Sequence, residues 1–457
     1  MAAPCGTSAR LIRIKDTRQE VTFVCERIDL LQPINLLPRT APRHPAAHTA
    51  SPDGVPRASL RRVVNLPALV LYAVGVSLGA GIFVLVGRIA GLSGALAPLT
   101  FLTAGVIVAF TAFSFAELSS RLPHAAGEAA YVHAAFGQRT LARVVGLSVA
   151  IAGTISAAAI VNGCRAYVQQ LIAAPDWTIE LAIIAVMTAI AVWGVTQSMI
   201  ATGLVTILEA GTLIWIASVA LTSGVTPEPA IVATASSEGI AGVFAALLLA
   251  IFAFIGFESA VNMAEEVRRP TRTIPLALVA TLVIVASLYA LVSAAALSVA
   301  SPAALAQADA PLALVYRLAT GKEGAFLNGL AVTATINGVL ALIVMVSRLL
   351  FGMAADGFLP PGLAWVWPRT RTPLVATLAA SATVLLLALL APIEPLARAS
   401  STVLLLVFVV VNAALLKIKL RREPVGPGVF SVPAWVPAGG VLFSLLPVVW
   451  EALRLFH

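Results

Sequence analysis

Charge is scarce in this chain. Only 11% of its 457 residues are Asp, Glu, Lys or Arg, whereas soluble domains carry about 25%, so a water-soluble globular fold is excluded. Cysteine is scarcer still. Cys5, Cys25 and Cys164 show no C-x-x-C or metal-like spacing, which offers neither a disulfide framework nor a zinc site. The five histidines, His44, His48, His124, His133 and His457, all fall in tails or loops, so no histidine proton relay is expected inside a membrane. Neither an H-E-x-x-H helix nor a pair of deep aspartates is present, because Asp176, Asp309 and Asp356 lie in loops or at span ends; an intramembrane enzyme therefore lacks its chemistry. A channel would need charged rings or a carbonyl-filter repeat, and neither is seen. We expect no metal and no cofactor.

What the chain has in abundance is apolar sequence: 60% of its residues are hydrophobic and its mean hydropathy is +0.97. Eleven stretches can each cross the roughly 30 Å of hydrocarbon that about 20 apolar residues span. They lie near 67–92, 95–118, 141–172, 179–195, 199–222, 239–263, 275–300, 326–353, 373–391, 396–417 and 434–455. The expectation is an all-α polytopic membrane protein, with one transmembrane domain over 63–457. Residues 1–62 are basic, polar and proline-containing, without an apolar run of signal-peptide length; they read as a disordered cytoplasmic tail. Lys and Arg collect in cytoplasmic loops. Placing the N-terminus inside puts Arg121, Arg139, Arg268, Arg269, Arg272, Arg369, Arg371, Lys417, Lys419, Arg421 and Arg422 on that side. The opposite loops hold mainly Asp176, Glu228, Glu238, Asp309 and Glu394, with a few bases such as Arg317 and Lys322. The net charge of +8 then follows from topology and anionic headgroups, with no nucleic-acid partner required.

Within the first span, "LGAGIF" (78–83) places Gly79 and Gly81 where a helix should run unbroken. Close packing through small residues explains this motif taken alone. A matching irregularity occurs in the sixth span, in "FAFIGFESA" (252–260), with Gly256 and the acidic Glu258. If spans one to five and six to ten are copies of one unit, the two interruptions occupy corresponding positions, the best sequence pointer to a transporter binding site near the bilayer midplane. A broken helix bares N–H groups on one side and C=O groups on the other. Such backbone is tolerated in a membrane only where it lines a cavity, and it suits a small zwitterion with a carboxylate and an ammonium.

Five blocks then carry a family resemblance: "GVSLGAGIFVLVG" (75–87), "FAELSSRLPHAAGEAAYVHAAFG" (115–137), "FIGFESAVNMAEEVRRPTRTIPLAL" (254–278), "SRLLFGMAADGFLP" (347–360) and "LLLVFVVVNAALLKIKLRR" (404–422). In this order they resemble the amino acid permeases of the amino acid, polyamine and organocation superfamily. The resemblance covers nearly all of 58–445. It implies a LeuT-like fold of two inverted five-helix repeats, about 67–222 and about 239–417, with helices one and six discontinuous and an additional helix at about 434–455. It further implies that Gly79, Ala80 and Gly81 hold the substrate's α-carboxylate, and that carbonyls around Phe252, Ala253 and Ile255 hold its α-amine. Phe252 stands where relatives often place an aromatic that closes over the substrate. Ala355 stands where a basic residue is common, so an ion pair made there by relatives does not carry over. Relatives commonly have twelve spans, so the eleven here leave the C-terminus outside. Because the family-like sequence starts only near Ala58, a sharper alternative to the cytoplasmic tail is that much of it arises from an upstream mis-start of translation.

Ionisable groups deep in hydrocarbon are costly and usually functional. Away from span ends two stand out, Glu209 in "VTILEAGTLIW" and Glu258. Many sodium-independent relatives have a lysine at the position Glu209 resembles, so their lysine mechanism does not transfer unchanged. A buried carboxyl without a nearby cation favours its neutral form, the property a proton carrier needs. Glu209 is therefore a candidate for proton coupling, beside the plainer reading of a neutral acid bonded between helices. For Glu258 coupling or gating is favoured over packing. Glu117 and Arg121, with Glu265, Arg268 and Arg269, suggest an inside gate of ion pairs, although a solvated, topology-setting face accounts for the arginines equally well. Asn337 and Ser400 are pocket candidates, with interhelical bonding as the default. Small residues such as Ala157, Thr333 and Ala334 are expected near the pocket, and neutral amino acids are the favoured substrates. The resulting expectation is proton-coupled amino acid uptake across the cytoplasmic membrane, with amino acid exchange or a non-transporting nutrient sensor as alternatives.

Overall fold

The computed structural model of the chain describes residues 64–122, 127–193, 198–225, 237–264, 266–322, 325–355, 357, 359–370, 372–422 and 428–455, with two short pieces nearer the N-terminus. The chain divides into two units, Met1–Ala58 and Ser59–His457. In the first, strands β1 (Ile12–Arg13) and β2 (Phe23–Val24) pair antiparallel. Those four residues apart, the expected disordered tail lies outside the described residues.

The second unit is helical because hydrocarbon offers no partner for free backbone groups. Its helices are α1 (Leu66–Ser93), α2 (Ala97–Arg121), α3 (Gly127–Phe136), α4 (Arg139–Gln169), α5 (Asp176–Trp193), α6 (Ser198–Thr222), α7 (Ser237–Phe254), α8 (Ser259–Asn262), α9 (Pro270–Leu297), α10 (Pro302–Gln307), α11 (Pro311–Thr320), α12 (Ala325–Ala355), α13 (Leu374–Leu390), α14 (Ile393–Leu420) and α15 (Trp435–Leu455). All eleven expected spans are found, the sixth as α7 and α8 together. Among the described residues nine stretches are long and apolar enough to cross a membrane, with two shorter apolar helices, Leu66–Gly79 and Leu374–Leu390. Counted this way, the part of α1 beyond the break is continuous with α2.

Local chemistry sets where α1 begins. The Asn65 side chain accepts the Ala68 N–H at 3.1 Å, and a proline occupies the first turn, a pairing that satisfies one orphan donor and omits another. Packing then proceeds by spans five apart. The first span lies against the sixth (α1 on α7), the second against the seventh (α2 on α9), the third against the eighth (α4 on α12) and the fourth against the ninth (α5 on α13). Helix α1 sits centrally and touches α6, α7, α9 and α12. Outward faces are apolar, with Leu102, Val106, Leu204, Ile207 and Val283 exposed, as lipid-facing surfaces require.

Candidate functional site

The two irregular segments meet. Helix α1 loses helical geometry at Gly79 (φ −13°, ψ −136°), and α7 stops at Phe254, to resume as α8 after a turn over 255–258. Gly256 in that turn has φ +124°, a region that disfavours any side chain. A Cβ on Gly256 would come within 2.8 Å of the Val76 carbonyl carbon, and one on Gly81 within 2.6 Å of the Ala253 Cα. Each break is thus pressed backbone to backbone against the other helix. A second tie lies at one end, where Val64 N–H donates to the Glu266 carbonyl and Arg268 N–H to the Val64 carbonyl, both at 3.0 Å.

Between the breaks is a hollow of about 290 Å³ including its open mouth, lined by Gly79, Gly81, Phe252 and Ile255 together with Ser77 and Ser156. Apolar walls come from Val76, Ile160 and Leu342. Four of the six residues assigned to substrate contact therefore line one space. Ala253 packs behind it, against Gly81, and Ala80 is described only as part of the α1 backbone. Sequence reasoning missed Ser77, Ser156 and above all Tyr289. The Tyr289 hydroxyl lies 2.6 Å from the Ser77 carbonyl and 2.7 Å from the Ala253 carbonyl, so a single O–H donor spans both broken helices. A carbonyl has two lone pairs, and the Ala253 oxygen retains one beyond this bond. The available signal was the lone tyrosine of the seventh span.

The two deep carboxyls differ in surroundings. Glu209 is buried; its Oε1 makes only a long 3.5 Å contact with Asn337 Nδ2, and its Oε2 has no hydrogen-bond partner. Its helix, α6, packs against α1, α9 and α12. Glu258 is instead built into the break: its Oε2 accepts the Gly256 N–H at 2.9 Å, while Ser259 donates its hydroxyl to the Gly256 carbonyl at 2.6 Å. Adjacent side chains thus satisfy backbone groups that the missing helical turn leaves free.

Several expectations need correction. Thr333 is exposed and donates to its own helix at Gly329, so it does not approach the hollow. Ser400, by contrast, keeps its default interhelical bonding: it is buried, with its Oγ 2.6 Å from Ser156 Oγ and 3.0 Å from the Ala152 carbonyl. Glu117 does not meet Arg268 or Arg269, which are both exposed. It is fully buried and paired with Arg121 at 2.7 Å and Lys419 at 2.7 Å, and it accepts the Val432 N–H at 2.7 Å. This cluster clamps α2 to α14 and to the segment leading into α15. Glu265 and Asp356 lie outside the described residues. Among the described residues, no three His, Cys, Asp or Glu side chains come together as a metal site requires.

Comparison with known proteins agrees with this architecture. Residues 64–453 match the family model described as amino acid permease. The chain is 28% identical over 415 residues to the branched-chain amino acid permease BcaP of Bacillus subtilis (strain 168), covering 86% of this chain and 88% of that protein. It is 32% identical over 368 residues to an uncharacterized transporter of Mycobacterium tuberculosis (strain ATCC 25618 / H37Rv), covering 79% and 81%. It is also 28% identical over 380 residues to the vacuolar cationic amino acid transporter 2 of Arabidopsis thaliana, covering 78% of this chain and 60% of that one. A multi-pass helical membrane chain, broken where it encloses a backbone-lined hollow, belongs to the amino acid permease family.

Proposed function

We propose that this permease takes up neutral amino acids across the cytoplasmic membrane by alternating access, together with a proton, with its N-terminus in the cytoplasm. The observation that carries the reading is the hollow between Gly79, Gly81, Phe252 and Ile255, where bare peptide groups of two opposed breaks face one another. The N–H groups at the α1 break suit the α-carboxylate, and the carbonyls at the end of α7 suit the α-ammonium. Packing between spans five apart supports two repeats of five helices rocking about this site. The walls, Val76, Ile160, Phe252 and Leu342, are apolar, which favours a neutral aliphatic side chain such as those carried by a branched-chain permease. Glu209 is the coupling residue in this reading, because one of its oxygens is buried without a partner and can carry a proton in place of a cation. The concentration of Lys and Arg at the end where α1 begins supports that end as cytoplasmic.

Purified protein in liposomes, presented with a panel of labelled amino acids with and without an inwardly directed proton gradient, tests the reading. Gradient-dependent accumulation of leucine, isoleucine or valine is expected. Glu209→Gln is expected to keep leucine exchange and lose accumulation; accumulation at the wild-type level by that variant refutes the coupling assignment. Binding without flux would mark a sensor, and exchange without gradient-driven accumulation an exchanger.

A further inference from the structure

We infer that Glu128 and Glu258 together form a second proton-binding site, separate from Glu209, at the mouth of the substrate hollow on the side where α1 begins. The inference rests on the transport reading above for its sidedness, but its geometry stands apart from it. Glu128 opens α3, the short helix between the second and third spans, and is only 5% exposed, with its Oε1 buried and without a hydrogen-bond partner. Its side chain and that of Glu258 line one hollow of about 360 Å³ including its open mouth, together with Tyr72, Ser259, Val149 and Met345. This space shares Val76 and Leu342 with the substrate hollow, so the two adjoin the same side chains.

The charges around the pair make a proton its natural occupant. The charge of Glu128 reaches Glu258, and like charges confined to one buried space do not both ionise readily. From α1 the titratable neighbour is Tyr72, whose own charged neighbours are Arg348, Glu266 and Glu258. On α3, Tyr131 lies within reach of the Glu128 charge, and His133 is exposed. Helices α4 and α12 contribute Val149, Ala341, Leu342 and Met345 to the walls. Arg139 and Arg143 of α4 are exposed, and Lys417 of α14 sits over the Phe136 ring, 4.3 Å from its centre. Burial pushes the Glu128 carboxyl up to about 7, partly offset by a bond to its own backbone. Between them the two carboxyls hold a proton and release it as pH rises.

Release has a structural consequence. Glu258 Oε2 already accepts the Gly256 N–H, and a charge-assisted bond is roughly twice as strong as a neutral one. Loss of the proton therefore tightens the turn between α7 and α8, which forms one wall of the substrate hollow. Proton occupancy at this mouth is thereby tied to the shape of the break.

Two measurements test the inference. A group with a midpoint near 7 changes its deprotonated fraction about tenfold between about pH 6 and about pH 8. Initial leucine uptake at fixed external pH is expected to rise several-fold, up to that limit, as internal pH is raised over this range. Glu128→Gln should flatten the curve, and Glu128→Asp should restore it. A merely structural role would lower the rate without altering the shape of the curve. Infrared titration of the purified protein reads the carboxyl proton directly, whether or not leucine is carried. The wild type should lose a protonated-carboxyl band near neutrality, and Glu128→Gln should diminish that change. A wild type without such a band, or a Glu128→Gln protein titrating as the wild type does, overturns the inference. Infrared titration as expected with no leucine exchange would refute the transport reading and leave the site standing.

Discussion

Replacing Gly81 by alanine isolates the contact on which the site depends. The added methyl carbon would lie 2.6 Å from the Ala253 Cα and 2.8 Å from its Cβ. Ordinary carbon contacts begin near 3.4 Å, so α1 must move away from α7 by the better part of an ångström, against backbone that cannot swing aside. Over-packing of this kind costs about 1–3 kcal/mol. If about half of that penalty falls on the substrate-bound form, affinity for leucine drops by about fivefold, within a range of about two- to twelvefold, because carboxylate and ammonium must be gripped simultaneously by the two separated breaks. The assay is leucine binding and exchange by the purified protein, with thermal unfolding in detergent measured in parallel. Gly211→Ala is the control: it also lies within a span, but nothing stands within 4 Å of its added carbon, and it should bind and exchange as the wild type does while gaining a little helix stability. Wild-type affinity in Gly81→Ala would refute the claim that direct apposition of the two breaks shapes the site.

Further outcomes follow from the same contacts. Tyr289→Phe removes the hydroxyl shared by the Ser77 and Ala253 carbonyls; at about 1 kcal/mol net for a buried hydrogen bond, leucine affinity should weaken several-fold while the protein still folds, as checked by binding and thermal unfolding. Glu117→Ala leaves Arg121 and Lys419 facing one another without their shared acid, and a broken buried pair costs about 3–5 kcal/mol, so unfolding in detergent should shift strongly downward. The Glu128 carboxyl, raised from 4.5 to about 7, keeps its proton in the folded state over a range where the unfolded chain has lost it. Stability should therefore fall as pH rises between about 4.5 and about 7 and level off above, and Glu128→Gln should remove that part of the slope in detergent unfolding curves.

Composition and hydropathy were enough to establish a polytopic helical membrane protein and the position of every span, since hydrocarbon accepts no other way of satisfying so long an apolar backbone. Gly79, Gly81 and Gly256 were legible too, because glycine in a span has few explanations and two such places at matching positions have fewer still. Glu209 and Glu258 stood out as lone carboxyls in apolar sequence. Tertiary structure alone decided what met what. Tyr289, 36 residues beyond Ala253 in the chain, reaches its carbonyl; Glu117 finds Lys419 across 302 residues in addition to Arg121 one helical turn away; and Glu128, on a short connecting helix, lines one space with Glu258. Local pattern reveals which backbone departs from a helix and which side chains hydrocarbon would reject. The partners that satisfy them come from helices distant in sequence, and pairing at that range depends on how the whole bundle closes.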